Sequence, residues 1–251
     1  MRWIAGVARQ AREHAVGAAD LLWPPLCPRC EQRAARAREQ FCEDCWAALR
    51  PLRPAERTWS LAHPQGDALE PVEACAAFAV DSLFLDVLAA SKYRRCRPVG
   101  GRLAWEAAAV LAPHLPPGAL VPVPLRPDKR RERGFNQTED FARILGRVSG
   151  RTVETSWLVR RRGGPALAGL PREARERAVR GAFAAGSAPG AAAAGEILLV
   201  DDVVTTGSTA FACAAALQAA GAKRVRVAAM GRAFAPSLDS AARDLALLGR
   251  F

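Results

Sequence analysis

The sequence predicts an α/β protein, a parallel sheet with flanking helices, preceded by a small cysteine-bearing ribbon at the N-terminus. Three observations predict it. Ile197-Leu198-Leu199-Val200 is a run of branched apolar residues, the pattern of a strand buried on both faces, as in a parallel sheet. After Gly207 the apolar period becomes helical: Ala210, Cys213, Ala214 and Leu217 share one face, and Gly221 ends it. Arg224 to Met230 then alternates as a further strand, and ahead of all this stand two C-x-x-C pairs.

Length and composition bound the rest. The chain has 251 residues, half of them hydrophobic and 24% charged, which excludes a wholly disordered protein and supplies ample core. No uncharged apolar run reaches 18 residues; the greasy stretch 76–90 is broken by Asp81 and Asp86. Met1 to His14 carries Arg2, Arg9, Arg12 and Glu13, unlike a secretory h-region. A soluble, cytoplasmic protein without membrane insertion is expected. Lys+Arg 36 against Asp+Glu 25 leaves +11. That surplus suits a polyanionic partner and a solvated basic surface equally well.

Cys27-Pro28-Arg29-Cys30 is followed, after eleven residues, by Cys42-Glu43-Asp44-Cys45. Each pair makes a short knuckle that turns two thiolates toward one ion, so together they form a tetrahedral zinc site. A redox motif needs only one such pair. Four thiolates leave no open position, so the Zn²⁺ is structural, and Trp23, Leu26, Phe41, Trp46 and Leu49 offer a miniature core that metal completes. The proline-rich, weakly periodic stretch from Pro51 to Pro71 reads as a linker. The expected domains are therefore a four-cysteine ribbon at 1–56 and an α/β domain at 57–251. Cys75, Cys96 and Cys213 read as small buried hydrophobes.

The most informative chemistry lies at 201–209. Thr205, Thr206, Ser208 and Thr209 supply four hydroxyls, Gly207 admits close backbone approach, and the N–H groups of the helix start favour an anion. This is a phosphate cradle without the lysine of a P-loop. Asp201 and Asp202 would repel phosphate, so they face another group. A sugar diol fits, because carboxylates accept hydrogen bonds from paired hydroxyls and favour positive charge developing on the ring.

At these residues the sequence resembles a known family. Ile197-Leu-Leu-Val-Asp-Asp-Val-Val-Thr-Thr-Gly-Ser-Thr209 looks like the phosphoribosyl-pyrophosphate (PRPP) signature of type I phosphoribosyltransferases. The resemblance implies a type I phosphoribosyltransferase-like sheet. In it Asp201 and Asp202 meet the ribose hydroxyls, Thr205 to Thr209 hold the 5′-phosphate, and Mg²⁺ bridges pyrophosphate and ribose. Members acting on 6-oxopurines usually carry Asp where Thr205 stands, which argues against that substrate. Leu120-Val-Pro-Val-Pro-Leu125 and Arg133-Gly-Phe-Asn-Gln137 are similar to a block of the ComF family, which also places a four-cysteine ribbon first. That resemblance spans nearly the whole chain and implies a role in DNA uptake during natural transformation, with single-stranded DNA and the uptake machinery as partners. Leu167 and Ala178 stand where the family commonly has Gln and Asn.

Arg126, Lys129, Arg130, Arg131 and Arg133 form a dense cationic loop able to neutralise pyrophosphate or a nucleic-acid backbone. Asn136 and Gln137 open a helix striped by Phe141, Ile144 and Leu145, with Asn136 its natural cap. Lys92-Tyr93 resembles the family's Lys-Tyr pair, and Lys92 is expected to face phosphate. The arginine-rich 160–180 stretch occupies the place of a loop that closes over PRPP. The expected function is that of a PRPP-binding phosphoribosyltransferase with an unidentified acceptor. Its rival is a non-catalytic PRPP sensor or a DNA-handling module.

Overall fold

The structure, a computed structural model, describes residues 26–34, 40–62, 71–93, 97–161, 181–186 and 195–234. Its contacts divide the chain into two units, one running to Leu49 and the other from Arg50.

In the first unit the Cys27–Cys30 knuckle closes on itself. Glu31 N–H donates to the Cys27 carbonyl at 2.9 Å and Cys27 N–H to that of Gln32 at 2.8 Å, with Glu31 in the left-handed region at φ 60°. Helix α1, Glu43–Ala47, starts directly after Cys42, with Glu43 and Asp44 in its first turn where the helix dipole favours acids. Phe41, Trp46 and Leu49 are buried, and the two rings meet edge to face at 6.1 Å. Leu26 was expected in this core and is instead 60% exposed. Trp23 lies outside the described residues.

The second unit is built on a five-stranded sheet of order β1-β2-β7-β6-β3. The strands are β1 Thr58–Leu61, β2 Val72–Ala79, β3 Ala119–Pro122, β6 Glu196–Val204 and β7 Arg224–Arg232; β4 Leu158–Arg160 and β5 Phe183–Ala185 form a separate antiparallel pair. β2, β7, β6 and β3 are mutually parallel, and β1 runs antiparallel at one edge. The helices are α2 Pro54–Arg57, α3 Ser82–Tyr93, α4 Arg97–Leu111, α5 Pro127–Arg133, α6 Gln137–Ser149 and α7 Ser208–Ala219. Ile197, Leu198, Leu199 and Val200 are all 1% exposed or less, so β6 is covered on both faces, by α7 and by α6. Among the described residues no helix is long and apolar enough to cross a membrane.

Two elements differ from the sequence reading. The 51–71 stretch is no bare linker: Pro54 starts α2, Glu56 caps it through Arg53, and Thr58–Leu61 pairs with β2 through Thr58↔Cys75 to Leu61↔Val72. Leu61 supplies the reason, being 6% exposed in the main core. In addition β6 does not stop at Val200. Val203 and Val204 continue the ladder opposite Gly231 and Arg232, so Asp201 and Asp202 lie within a strand rather than in a loop. That pairing needs Gly231, where a Cβ would stand 2.7–2.8 Å from the Phe84 ring and Val80.

Candidate functional site

In the N-terminal unit the four knuckle cysteines converge. Sγ separations are 3.7 Å for Cys27–Cys45, 3.4 Å for Cys30–Cys42 and 3.6 Å for Cys30–Cys45, and all four sulfurs lie within 4.8 Å of one another. A tetrahedron of metal–sulfur bonds of about 2.3 Å has edges of about 3.8 Å, so the cage has the size zinc requires. The cysteines are not disulfide-bonded. Burial raises the Cys27 thiol, but N–H groups of Cys42, Arg29 and Cys30 outweigh it and draw it down to about 6. Burial and the neighbouring sulfurs push Cys45 up. Thiols packed this tightly resist joint ionisation, and a dication removes that conflict. The donor set fits a structural Zn²⁺.

In the sheet unit the carboxyl end of β6 carries Asp201 and Asp202 into the turn Thr205-Thr206-Gly207 and then α7. Gly207 is required twice over. Its φ is 79°, and a Cβ would meet the Leu61 side chain at 3.2 Å and the Phe211 ring at 3.4 Å. Thr206 and Ser208 hydroxyls share a 2.8 Å hydrogen bond, which holds two of the four hydroxyls on one side of the turn. Asp201, all five residues Thr205 to Thr209 and their neighbours line one pocket of about 30 Å³. At that volume it holds about one water-sized group, so a phosphate would extend into its mouth.

The two carboxylates differ. Asp202 forms an ion pair with Lys92 of α3, with side chains 20% and 15% exposed. Burial pushes the Asp202 carboxyl up, but Lys92, the Val203 N–H and Arg133 together hold it below the usual range. Asp201 is raised well above that range, first by burial and then by the charge of Asp202 beside it. Burial and the adjacent charge thus disfavour the ionised form of Asp201, while Lys92 favours the carboxylate of Asp202, and together they offer oxygen acceptors to hydroxyl donors.

The cationic segment is a helix, α5, rather than a loop, with Pro127 in its first turn and Gly134 as its left-handed cap. Much of its charge is locally matched. Arg126 grips Asp128 through two hydrogen bonds of 3.0 and 3.1 Å, Lys129 pairs with Glu132 at 2.7 Å, and Arg130 with Glu139 at 3.3 Å. Lys129 therefore points along its own helix, whereas Arg133 contributes to the field at Asp202. Lys92, expected to face phosphate, is engaged by Asp202. Such exposed pairs cost little to open, so α5 remains a reserve of positive charge.

Asn136 opens α6 by position but does not cap it with its side chain. Its Nδ2 donates to the Val123 carbonyl at 3.1 Å, and Thr138 Oγ1 donates to the same carbonyl at 2.6 Å. Gln137 Nε2 donates to Ser91 Oγ, which donates to the Leu88 carbonyl at 2.8 Å. Asn136, Gln137 and Thr138 thus make a buried polar tie. It fixes the chain leaving β3 and the last turn of α3, which carries Lys92. Arg160 at the end of β4 lies over the Phe183 ring at 5.2 Å, and its Nε is buried without a hydrogen-bond partner among the described residues. Burial lowers its pKa first, then the charge of Arg126, while Asp201 acts in the opposite sense. The sequence offered Arg160 only as the first residue of a basic stretch. The remainder of that stretch, 162–180, lies outside the described residues.

Residues 18–76 match the family profile of the double zinc ribbon domain, less than a quarter of the chain. The match contains all four knuckle cysteines; Cys75, also within it, is buried in β2 and apart from the sulfur cluster. No curated protein matches the chain. A zinc ribbon domain is therefore present in the N-terminal part of this protein, ahead of a mixed α/β unit with a mostly parallel sheet.

Proposed function

We propose that the sheet unit binds PRPP as a type I phosphoribosyltransferase-like domain, and that the chain is a ComF-type protein serving DNA uptake from the cytoplasmic side. One observation supports this above others: a β6 carboxylate pair runs directly into a hydroxyl-rich, glycine-hinged turn at a helix start, with Asp201 and Thr205 to Thr209 around one pocket. In this reading the turn holds the 5′-phosphate through its hydroxyls and the first N–H groups of α7. Asp201 and Asp202 accept hydrogen bonds from the two ribose hydroxyls. When bound, Mg²⁺ neutralises pyrophosphate charge, and Arg126, Arg133 and Lys92 add to that neutralisation from the chain. Transfer forms a bond from an acceptor atom to the anomeric carbon as the bond to pyrophosphate breaks, its electron pair leaving with pyrophosphate. The ribbon zinc takes no part in this.

A sensing role without turnover is favoured by one feature. Thr205 stands where purine-specific members have their general base, and a threonine hydroxyl does not take up a proton near neutral pH. Calorimetric titration tests the shared part of both readings: PRPP with Mg²⁺ binds saturably, and Thr206→Ala with Ser208→Ala weakens it at least tenfold. Unchanged affinity in that variant would remove the turn from the site. Pyrophosphate release across a panel of bases and amines then separates enzyme from sensor.

A further inference from the structure

At the other end of the sheet a second cavity, of about 160 Å³, is lined by Ser60, Glu73, Gln218, Lys223, Arg224 and Arg226 over a floor of Val72 and Val225. β6 runs from Glu196 beside this cavity to Val204 beside the turn, which at about 3.3 Å per residue separates the two ends by over 20 Å. The cavity is therefore a separate place from the proposed PRPP pocket.

Its charge is arranged, not scattered. Arg224 and Arg226 are two apart on β7 and so share a face. The Arg226 side chain is 14% exposed and clamped from both sides, by Glu73 at 2.5 Å and Glu196 at 3.2 Å. These carboxylates come from the strand on each side of β7, which fixes the guanidinium in the cavity wall. Arg224 reaches Glu196 only at 3.9 Å and is 61% exposed, and Lys223 follows the turn that ends α7 on the same rim. With Glu196 behind the wall, the cluster holds three cations to two carboxylates, with both rim cations at the mouth and a hydroxyl and an amide as further donors.

We propose that this cavity binds a phosphate group. The tetrahedral oxyanion takes hydrogen bonds from Lys223, the Arg224 fork, Ser60 and Gln218, while Arg226, its charge matched by Glu73 and Glu196, shapes the base. A carboxylate would use fewer of these donors, and a neutral sugar would leave the two rim charges uncompensated. The phosphate can come from a free phosphorylated metabolite or from a nucleic-acid backbone. The inference stands independently of PRPP binding.

The test is a titration of the full-length, zinc-loaded protein with inorganic phosphate, followed by the amide resonances of Ser60, Val72 and Val225. These shift saturably with phosphate and not with chloride at equal ionic strength. Lys223→Ala with Arg224→Ala, two exposed positions whose loss leaves the Arg226 clamp intact, weakens binding at least tenfold, and Thr206→Ala does not. Equal shifts with chloride, or unchanged affinity in the double variant, would overturn the proposal. Ribose 5-phosphate binding more tightly than phosphate identifies a metabolite, and a short single-stranded oligonucleotide doing so identifies a backbone; binding of neither more tightly than chloride would also overturn it.

Discussion

In the N-terminal unit, order gathers around four sulfurs within 4.8 Å of one another, with Phe41, Trp46 and Leu49 as buried apolar company. In the sheet unit, Ile197 to Val200 alone contribute four side chains with 1% exposure or less, between helices on both faces. The first unit relies on a cation to reconcile charges that its own packing brings into conflict. The second relies on apolar burial, and carries a charge conflict at the end of β6, where Asp201 is raised and Asp202 lowered. A sheet this well buried can hold an unfavourable carboxylate where binding needs it. Among its described residues the ribbon has no comparable reserve.

The comparison predicts separable failures. Chelation of zinc, or Cys42→Ser with Cys45→Ser, unfolds the ribbon, because metal binding of about 10–16 kcal/mol is its folding energy. Amide exchange should accelerate across residues 40–49 and stay slow in β6 and β7; equal acceleration in both would contradict the division. Leu198→Ala should do the reverse, costing the sheet unit about 2–5 kcal/mol in denaturant while bound zinc stays at one ion per chain.

A smaller effect is expected at the acid pair. Lys92→Met leaves Asp202 half-buried without its cation and should destabilise by about 1–3 kcal/mol, measured by urea midpoint. Asp202 has a lowered folded pKa, so its pairing contributes above the ordinary carboxylate range and is lost as pH falls through that lowered value. Asp201 has the opposite sign. Its folded pKa is raised, so it costs stability as pH climbs from its unfolded pKa of about 3.9 toward the raised value. Asp201→Asn should therefore melt above the wild type at pH 7 and flatten the profile above about pH 4. The smallest effect is at α5: Asp128→Ala, which removes the Arg126–Asp128 pair, should change stability by less than about 1 kcal/mol.

The cysteine cage and the strand–turn–helix–strand unit were legible because their signals are local, a fixed spacing and a change of apolar period within a few dozen residues. The extent of β6 was not. Asp201 and Asp202 look like loop residues until Gly231 and Arg232 pair opposite Val203 and Val204, and that is a long-range fact. β1 was hidden for the same reason, its partner lying beyond a proline-rich stretch. Lys92 and Asp202 are far apart in the chain, and only the tertiary fold brings the end of α3 to the end of β6. Arg126 to Arg133 read as uncompensated charge because helical spacing, which turns Lys129 to Glu132, was not evident after two prolines.

The measurement that bears most directly on the central claim is the melting temperature with and without PRPP and Mg²⁺, in the wild type and in Asp201→Ala with Asp202→Ala. Occupancy of the folded state alone raises it, by about 2.7 kcal/mol of stability at a hundredfold excess over the dissociation constant. The account predicts a rise in the wild type and none in a variant that still melts cooperatively. An undiminished rise in that variant, or no rise in the wild type, would contradict it.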